Sequence, residues 1–263
     1  MLNLSGKTRL YYIVGDPIAQ VKSPGGMSDA FDGQGMDAVV VPAHVSREAL
    51  PAFFAGAKAT QNVDGIIATV PHKFSTAEQC DELTDRARFL GAANVVRRLK
   101  NGKWLGDQVD GLGFVQALHD TARDLHGAHA LLVGAGGAGS AIAEALLDAG
   151  VASLGICDQD AQRQKRLVDR LATLKRGTVS AASSDPAGMD LVVNATPMGM
   201  REGDPYPVRI ESLKASMLVG DVVTIPAVSP LIAAARAAGC RTVTGLEMFA
   251  CVKQYMLDFY TGK

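Results

Sequence analysis

Between Leu131 and Gly139 the chain reads Leu-Leu-Val-Gly-Ala-Gly-Gly-Ala-Gly, and no other stretch restricts the possible folds so sharply. Gly134, Gly136 and Gly139 have the G-x-G-x-x-G spacing, which by itself is a weak signal. The flanks strengthen it. Apolar runs predict a strand over Ala130–Val133 and a second over Ser153–Cys157, with a helix over Ala138–Asp148 between them and Asp158 just beyond. Strand, tight turn, helix, strand and acid make up a dinucleotide-binding βαβ unit. In it Gly134 permits the turn, Gly136 lets backbone approach a pyrophosphate, and Gly139 lets the helix lie close to the strand. Ala135, Gly137 and Ala138 complete the backbone that would meet the phosphates at the positive helix N-terminus.

The same alternation of short β-branched runs and longer amphipathic stretches covers the whole chain of 263 residues, which makes it an α/β protein of about two domains. The first half carries expected strands at Leu10–Val14, Ala38–Val41, Val63–Thr69 and Asn94–Leu99, with helices from Pro24, Ser46, Lys73 and Thr84. Asn101-Gly102 predicts a type I′ hairpin turn. The second half adds strands at Val179–Ala181, Leu191–Asn194, Met217–Val223 and Arg241–Val243. Its helices are expected over Gly111–Arg123, from Ala161, from Pro230 behind a Ser229 cap, and over Leu246–Phe259.

Leu125 to Ala143 lacks Asp, Glu, Lys and Arg for 19 residues, long enough to resemble a membrane span. It contains two histidines and five glycines and divides into strand, turn and helix, so it is not one. The 26 Lys and Arg against 27 Asp and Glu argue against a polybasic nucleic-acid or membrane-surface protein. Cys80, Cys157, Cys240 and Cys251 form no Cys-x-x-Cys pair and no zinc-ligand spacing. A metal-free cytoplasmic protein with reduced thiols is expected.

Asp158 carries the cofactor expectation. It lies 19 residues after Gly139, where a carboxylate accepts both hydroxyls of an NAD ribose. A 2′-phosphate about 4 Å away would cost on the order of 4 kcal/mol at an effective dielectric near 20. Gln159 and Asp160 follow, so no adjacent arginine clamps such a phosphate, and Asp160 is the better cap for the helix from Ala161. NAD is therefore expected in preference to NADP.

Six further motifs occur in order: Gly15-Asp16-Pro17-Ile18-Ala19-Gln20-Val21-Lys22-Ser23-Pro24, Thr69-Val70-Pro71-His72-Lys73, Gly91-Ala92-Ala93-Asn94, Asp110-Gly111-Leu112-Gly113-Phe114, Asn194-Ala195-Thr196-Pro197-Met198-Gly199-Met200 and Gly245-Leu246-Glu247-Met248. Over essentially its whole length the chain resembles the shikimate/quinate dehydrogenase family. The resemblance implies an open α/β substrate domain over residues 1–109, with helix 246–263 returning to it. A doubly wound dinucleotide domain over 110–245 and a cleft between the two complete the expected architecture. It also implies reversible hydride transfer between a nicotinamide dinucleotide and a ring hydroxyl of shikimate, quinate or a related cyclic carboxylate, in a monomer or homodimer.

Lys73 and Asp110 match the family's catalytic pair. Oxidising a carbinol needs a base for the hydroxyl proton, and an ordinary lysine is a poor one at neutral pH. Burial and a nearby carboxylate act in opposite directions on such a group, so a pair of this kind titrates as a unit. Ser23, Thr69 and Asn94 match substrate contacts, and Thr196 and Gly245 match positions near the nicotinamide. Ser23 also suits the N-cap of the helix opened by Pro24.

Departures fall on the substrate side: Val21 replaces a serine, Ile67 an asparagine, Thr224 a tyrosine and Val252 a glutamine of the family pattern. Each unpaired substrate oxygen would cost about 1–3 kcal/mol, so changed substrate preference is expected. Two alternatives remain at this level: a non-catalytic NAD-binding sensor, and a methylenetetrahydrofolate-type dehydrogenase with a similar two-domain plan.

Overall fold

The computed structural model describes residues 4–121 and 124–263. The chain divides into two compact units, one reaching to Val109 and rejoined by Lys253–Lys263, the other spanning Asp110–Val252.

The first unit runs β1 (Arg9–Gly15), α1 (Ser23–Gly33), β2 (Ala38–His44), α2 (Leu50–Ala59), β3 (Val63–Ala68), α3 (Lys73–Glu78), β4 (Glu82–Leu83), α4 (Asp85–Leu90), β5 (Val95–Arg98) and β6 (Trp104–Asp107). Its sheet has the order β2-β1-β3-β5-β6-β4. β1 lies parallel to β2 and β3, while β5 is antiparallel to both β3 and β6. The ends of β1 and β3 and the start of β5 thus share one sheet edge. Beneath it Val14, Leu50, Phe54, Val63, Ile66, Val96 and Trp104 form a core. Arg98 lies over the Trp104 ring at 4.8 Å. Its guanidinium also donates to the carbonyls of Ala57, Lys58 and Thr60 at the end of α2, where helical carbonyls run short of donors.

The β5–β6 turn departs from expectation. Gly102 N donates to Leu99 O and Leu99 N to Lys103 O, while Gly102 sits at φ +84° and Asn101 stays out of the left-handed region. That is a three-residue loop of type I turn plus left-handed glycine, and the local twist needs one positive φ rather than two. β4 escapes a pattern reading because two residues carry no period. Helix α2 starts at Leu50, after a turn in which Ser46 Oγ accepts from Ala49 N, rather than at Ser46 itself.

The second unit runs α5 (Asp110–His119), β7 (His129–Val133), α6 (Gly137–Asp148), β8 (Ser153–Cys157), α7 (Ala161–Ala172), β9 (Thr178–Ala181), β10 (Leu191–Asn194), β11 (Leu218–Asp221), α8 (Pro230–Ala237), β12 (Arg241–Val243) and the first part of α9 (Gly245–Thr261), whose residues from Lys253 belong to the first unit, with a 3₁₀ turn at Ile210–Ser212. The expected helix to Arg123 ends at His119, and Arg123 lies outside the described residues. All strands are parallel in the order β12-β11-β10-β7-β8-β9, the doubly wound arrangement, whose switch point falls between β7 and β10.

The Asp110-Gly111-Leu112-Gly113-Phe114 motif owes much of its composition to packing. A Cβ on Gly111 would collide with the carbonyl of Ala141 in α6, and one on Gly113 with Val252 of α9. Phe114 fills the space that Gly220 of β11 leaves open. Thr244 and Glu247 close a capping box on α9: Thr244 N donates to Glu247 Oε2 at 2.7 Å and Glu247 N to Thr244 Oγ1 at 3.3 Å. At its far end Tyr260 donates to Ile66 O at 3.1 Å and stacks edge-on against Tyr11. Among the described residues no helix is long and apolar enough to cross a membrane.

Candidate active site

In the first unit the matched substrate residues gather at the shared sheet edge. Thr69 follows β3 and donates its N–H to Val14 O at 2.9 Å, which pins the Thr69–Lys73 segment to the end of β1. Gly15 makes this possible, since a Cβ there would lie 2.5 Å from the Thr69 methyl. Lys73 opens α3 with only 9% exposure, and its carbonyl accepts from Ala93 N at 2.8 Å. Asn94 is 1% exposed; its carbonyl accepts from Ala68 N, and its Oδ1 accepts from Val109 N at 2.9 Å. That last bond anchors the peptide immediately before Asp110, which begins α5 of the second unit at 6% exposure.

Ser23 does not cap α1. The cap position is Lys22, in helical conformation and without a side-chain cap bond, and Ser23 is already the first helical residue. A cap needs extended backbone at the residue carrying the hydroxyl, and here the helix starts one residue earlier than the Pro24 rule suggests. Ser23 is 5% exposed. His72, which the spacing left unassigned, is buried and bonds through Nε2 to Val45 O at 2.7 Å.

The four departures from the family pattern separate on burial. Ile67 and Val252 are 1% and 3% exposed, Ile67 within β3 and Val252 against Gly113. Both are as buried as Asn94, which matches a substrate contact. Val21 and Thr224 are partly exposed.

In the second unit the glycine turn meets the switch point. Gly134 adopts φ +107°, and a Cβ there would lie 2.8 Å from the Thr196 methyl and 2.9 Å from Ala195 O. A Cβ on Gly139 would strike the Gly134 carbonyl, so α6 can approach the strand only with glycine here. Gly136 differs: a Cβ would meet nothing within 4 Å, and as the N-cap of α6 it makes no side-chain cap bond. The start of α6 is thus uncrowded at Gly136, and a helix N-terminus suits a phosphate. Gly245, at the start of α9, has no room for a side chain because Val222 and Val223 carbonyls crowd it. These residues fit a dinucleotide.

Buried hydrogen bonds hold the Thr196 segment. Asn194 Oδ1 accepts from Thr196 N at 3.0 Å and from its hydroxyl at 2.6 Å, while Asn194 Nδ2 donates to Asp221 Oδ1 at 3.0 Å. Asp221 has no exposed surface, accepts from Ser229 Oγ at 2.5 Å and from Val223 N at 3.0 Å, and burial pushes its carboxyl up to about 6. Sequence reading passed over Asp221 because a strand-end aspartate has no motif of its own.

Residues 13–96 match the family described as shikimate dehydrogenase substrate binding domain, and residues 112–163 match the ThiF family. The shikimate dehydrogenase (NADP(+)) of Rhodospirillum rubrum is 36% identical over 252 residues, 93% of this chain and 89% of that protein. The ligand-free 5-ketofructose reductase of Gluconobacter sp. strain CHM43 is 28% identical with TM-score 0.86, covering 98% of this chain and 95% of that one. Quinate dehydrogenase from Corynebacterium glutamicum, in complex with NAD, is 29% identical with TM-score 0.87, covering 97% and 94%.

These relatives overturn the expected preference for NAD over NADP, because the curated proteins are named as NADP(+) enzymes. The surroundings of Asp158 differ from the bare carboxylate that the expectation assumed. Its carboxylate is engaged by the turn itself, accepting from Ala135 N at 2.7 Å and Asp160 N at 2.8 Å. Its side chain is 8% exposed, and the Arg163 guanidinium lies 3.7 Å from it and 3.5 Å from Asp160. A guanidinium thus stands beside the carboxylate and offsets part of its charge. Asp160 caps α7, bonding Gln162 N and Arg163 N, and that helical turn brings Arg163 back to the site.

Proposed function

This chain belongs to the shikimate dehydrogenase family, and we propose that it catalyses reversible hydride transfer between a nicotinamide dinucleotide and a ring hydroxyl of a shikimate-like carboxylate. The observation that carries this reading is the sheet edge of the first unit, where Thr69, Lys73 and Asn94 are each pinned by backbone bonds. Lys73 and Asp110 hold and move the hydroxyl proton, because a buried lysine and a buried carboxylate at helix starts suit general acid–base work. Ser23 and Thr69 supply hydroxyls to the substrate, and Asn94 also orients the peptide that leads to Asp110. In the second unit the Gly134–Gly139 turn, with Gly137 and Ala138 opening α6, receives the pyrophosphate while the Ala135 amide holds Asp158, and Thr196 and Gly245 border the nicotinamide. The dinucleotide, when bound, donates or accepts the hydride. The relatives' names point to NADP, with Arg163 the cation for its 2′-phosphate.

Lys73→Ala and Asp110→Ala should each lower kcat at least a hundredfold while the dissociation constant of NADPH, read by fluorescence, changes less than threefold. Turnover near wild type in either variant refutes the assignment.

A second substrate reading rests on Val21, which removes one of the hydroxyls that hold a carboxylate in the family pattern. With 5-ketofructose reductase among the similar structures, a neutral polyhydroxy ketone is the competing substrate. A panel of shikimate, quinate and keto sugars, followed at the NADPH absorbance, separates the two. Turnover of keto sugars alone selects the neutral class, and turnover of shikimate selects the carboxylate.

A further inference from the structure

Three loops of the second unit converge on one carboxylate that touches no solvent. Asp221, the last residue of β11, accepts from Asn194 at the end of β10, from Ser229 before α8 and from the peptide N–H of Val223. Each partner governs a different segment. Asn194 sets Thr196 through both its N–H and its hydroxyl, and Thr196 Oγ1 in turn accepts from Met198 N at 3.2 Å. Ser229 also caps α8 by accepting from Ile232 N, and the α8 start meets the other loop at Gly199, where a Cβ would lie 3.3 Å from Pro230. Val223 leads into the segment with exposed Ile225 and Val228, and its carbonyl crowds Gly245.

We propose that Asp221 is a positioning residue for the dinucleotide: a buried, charged acceptor that holds Thr196, Gly245 and the 222–229 segment in one arrangement at the switch point. It goes beyond the proton-handling pair and rests on the reading that this face of the second unit binds a nicotinamide dinucleotide. A neutral group of the same shape could pack in the same space. It would not satisfy these donors equally, because hydrogen bonds to an ionised acceptor are about twice as strong as neutral ones. Burying the charge costs stability, so its retention at a site with no cationic partner among its bonding groups points to a positional role. The groups that hydrogen-bond it are Asn194, Ser229 and the peptide nitrogens of Val222 and Val223, none of them titratable.

The test compares wild type with Asp221→Asn by NADPH fluorescence titration from pH 8 to 5.5. At pH 8 the variant should bind about tenfold more weakly, equivalent to 1.4 kcal/mol. As pH falls the wild-type curve should approach that of the variant, because a protonated Asp221 is an amide-like neutral group. The ligand's own phosphate titrates equally in both and cancels in the ratio. Turnover at saturating NADPH should fall much less than affinity, a split that general loss of packing does not produce. A ratio near one at pH 8, or a constant ratio across the range, overturns the proposal. If Asp221→Asn does not accumulate as folded protein, Ser229→Ala replaces it and should weaken binding severalfold at pH 8; unchanged affinity there overturns the proposal as well. Absence of NADPH binding by wild type would instead refute the dinucleotide reading itself.

Discussion

The same substitution, glycine to alanine, should have opposite signs at two helical positions of this chain. Gly56 lies within α2, exposed, and a Cβ there would meet nothing within 4 Å. Gly56→Ala gains only helix propensity, about 0.8–1 kcal/mol. Gly111 lies in α5, and its new Cβ would collide with the Ala141 carbonyl, approach Ala141 C to 2.6 Å and Ala145 Cβ to 3.0 Å. Two of these neighbours are backbone atoms of α6, so relief requires the two helices to separate. Overpacking of this kind costs roughly 1–3 kcal/mol or more. With carbonyl backbone as the obstacle the upper part of that range applies, and subtracting the propensity gain leaves about 2 kcal/mol of destabilisation. At roughly 2–4 °C per kcal/mol, Tm should rise by about 2–4 °C for Gly56→Ala and fall by about 4–8 °C for Gly111→Ala. Differential scanning fluorimetry resolves both. Because α5 begins at Asp110, kcat should also fall in Gly111→Ala and stay at the wild-type value in Gly56→Ala. A Gly111→Ala protein as stable as wild type would refute the argument that close helix approach dictates this glycine.

The remaining expectations concern charge and position. The Asp221 carboxyl is raised from an ordinary 3.8 to about 6, so the folded chain holds a proton that the unfolded chain releases between those values. Stability from this group is therefore lost as pH rises from about 4 through 6, by about 3 kcal/mol in total. Urea midpoints measured against pH should show this decline as a falling difference in stability between wild type and Asp221→Asn. Arg163→Ala should weaken NADP binding about tenfold, with NAD affinity changed far less, since one exposed charge-assisted contact is worth about 1.5 kcal/mol; equal loss for both cofactors would remove Arg163 from the 2′-phosphate. Arg98→Ala should lower Tm through loss of its carbonyl bonds and of the contact over Trp104, with KM unchanged. Gly15→Ala should displace Thr69 and raise the substrate KM while NADPH affinity persists.

Elements whose information is local were legible early. The strand before Gly134, the helix from Gly137 and the cap at Asp160 each depend on residues within one turn, so spacing alone located them. The Ser23 cap failed because backbone conformation at Lys22, not residue type, sets where α1 begins. The type I′ turn failed because Asn101 uses its side chain on Lys103 N and leaves the positive φ to Gly102.

By itself the sequence determined the α/β class, the dinucleotide turn and the family motifs, because glycine spacing and hydrophobic period are properties of short stretches. Only the tertiary structure decided what distant residues do to one another. Asp158 is spent on Ala135, 23 positions earlier, and shares its space with Arg163. Ile67 and Val252 are buried once neighbouring elements close over them, while Val21 and Thr224 are partly exposed. Asp221 acquires its partners Asn194 and Ser229 only when parallel strands set their ends side by side. Burial and electrostatics depend on every neighbour in space, and a linear pattern names only those along the chain.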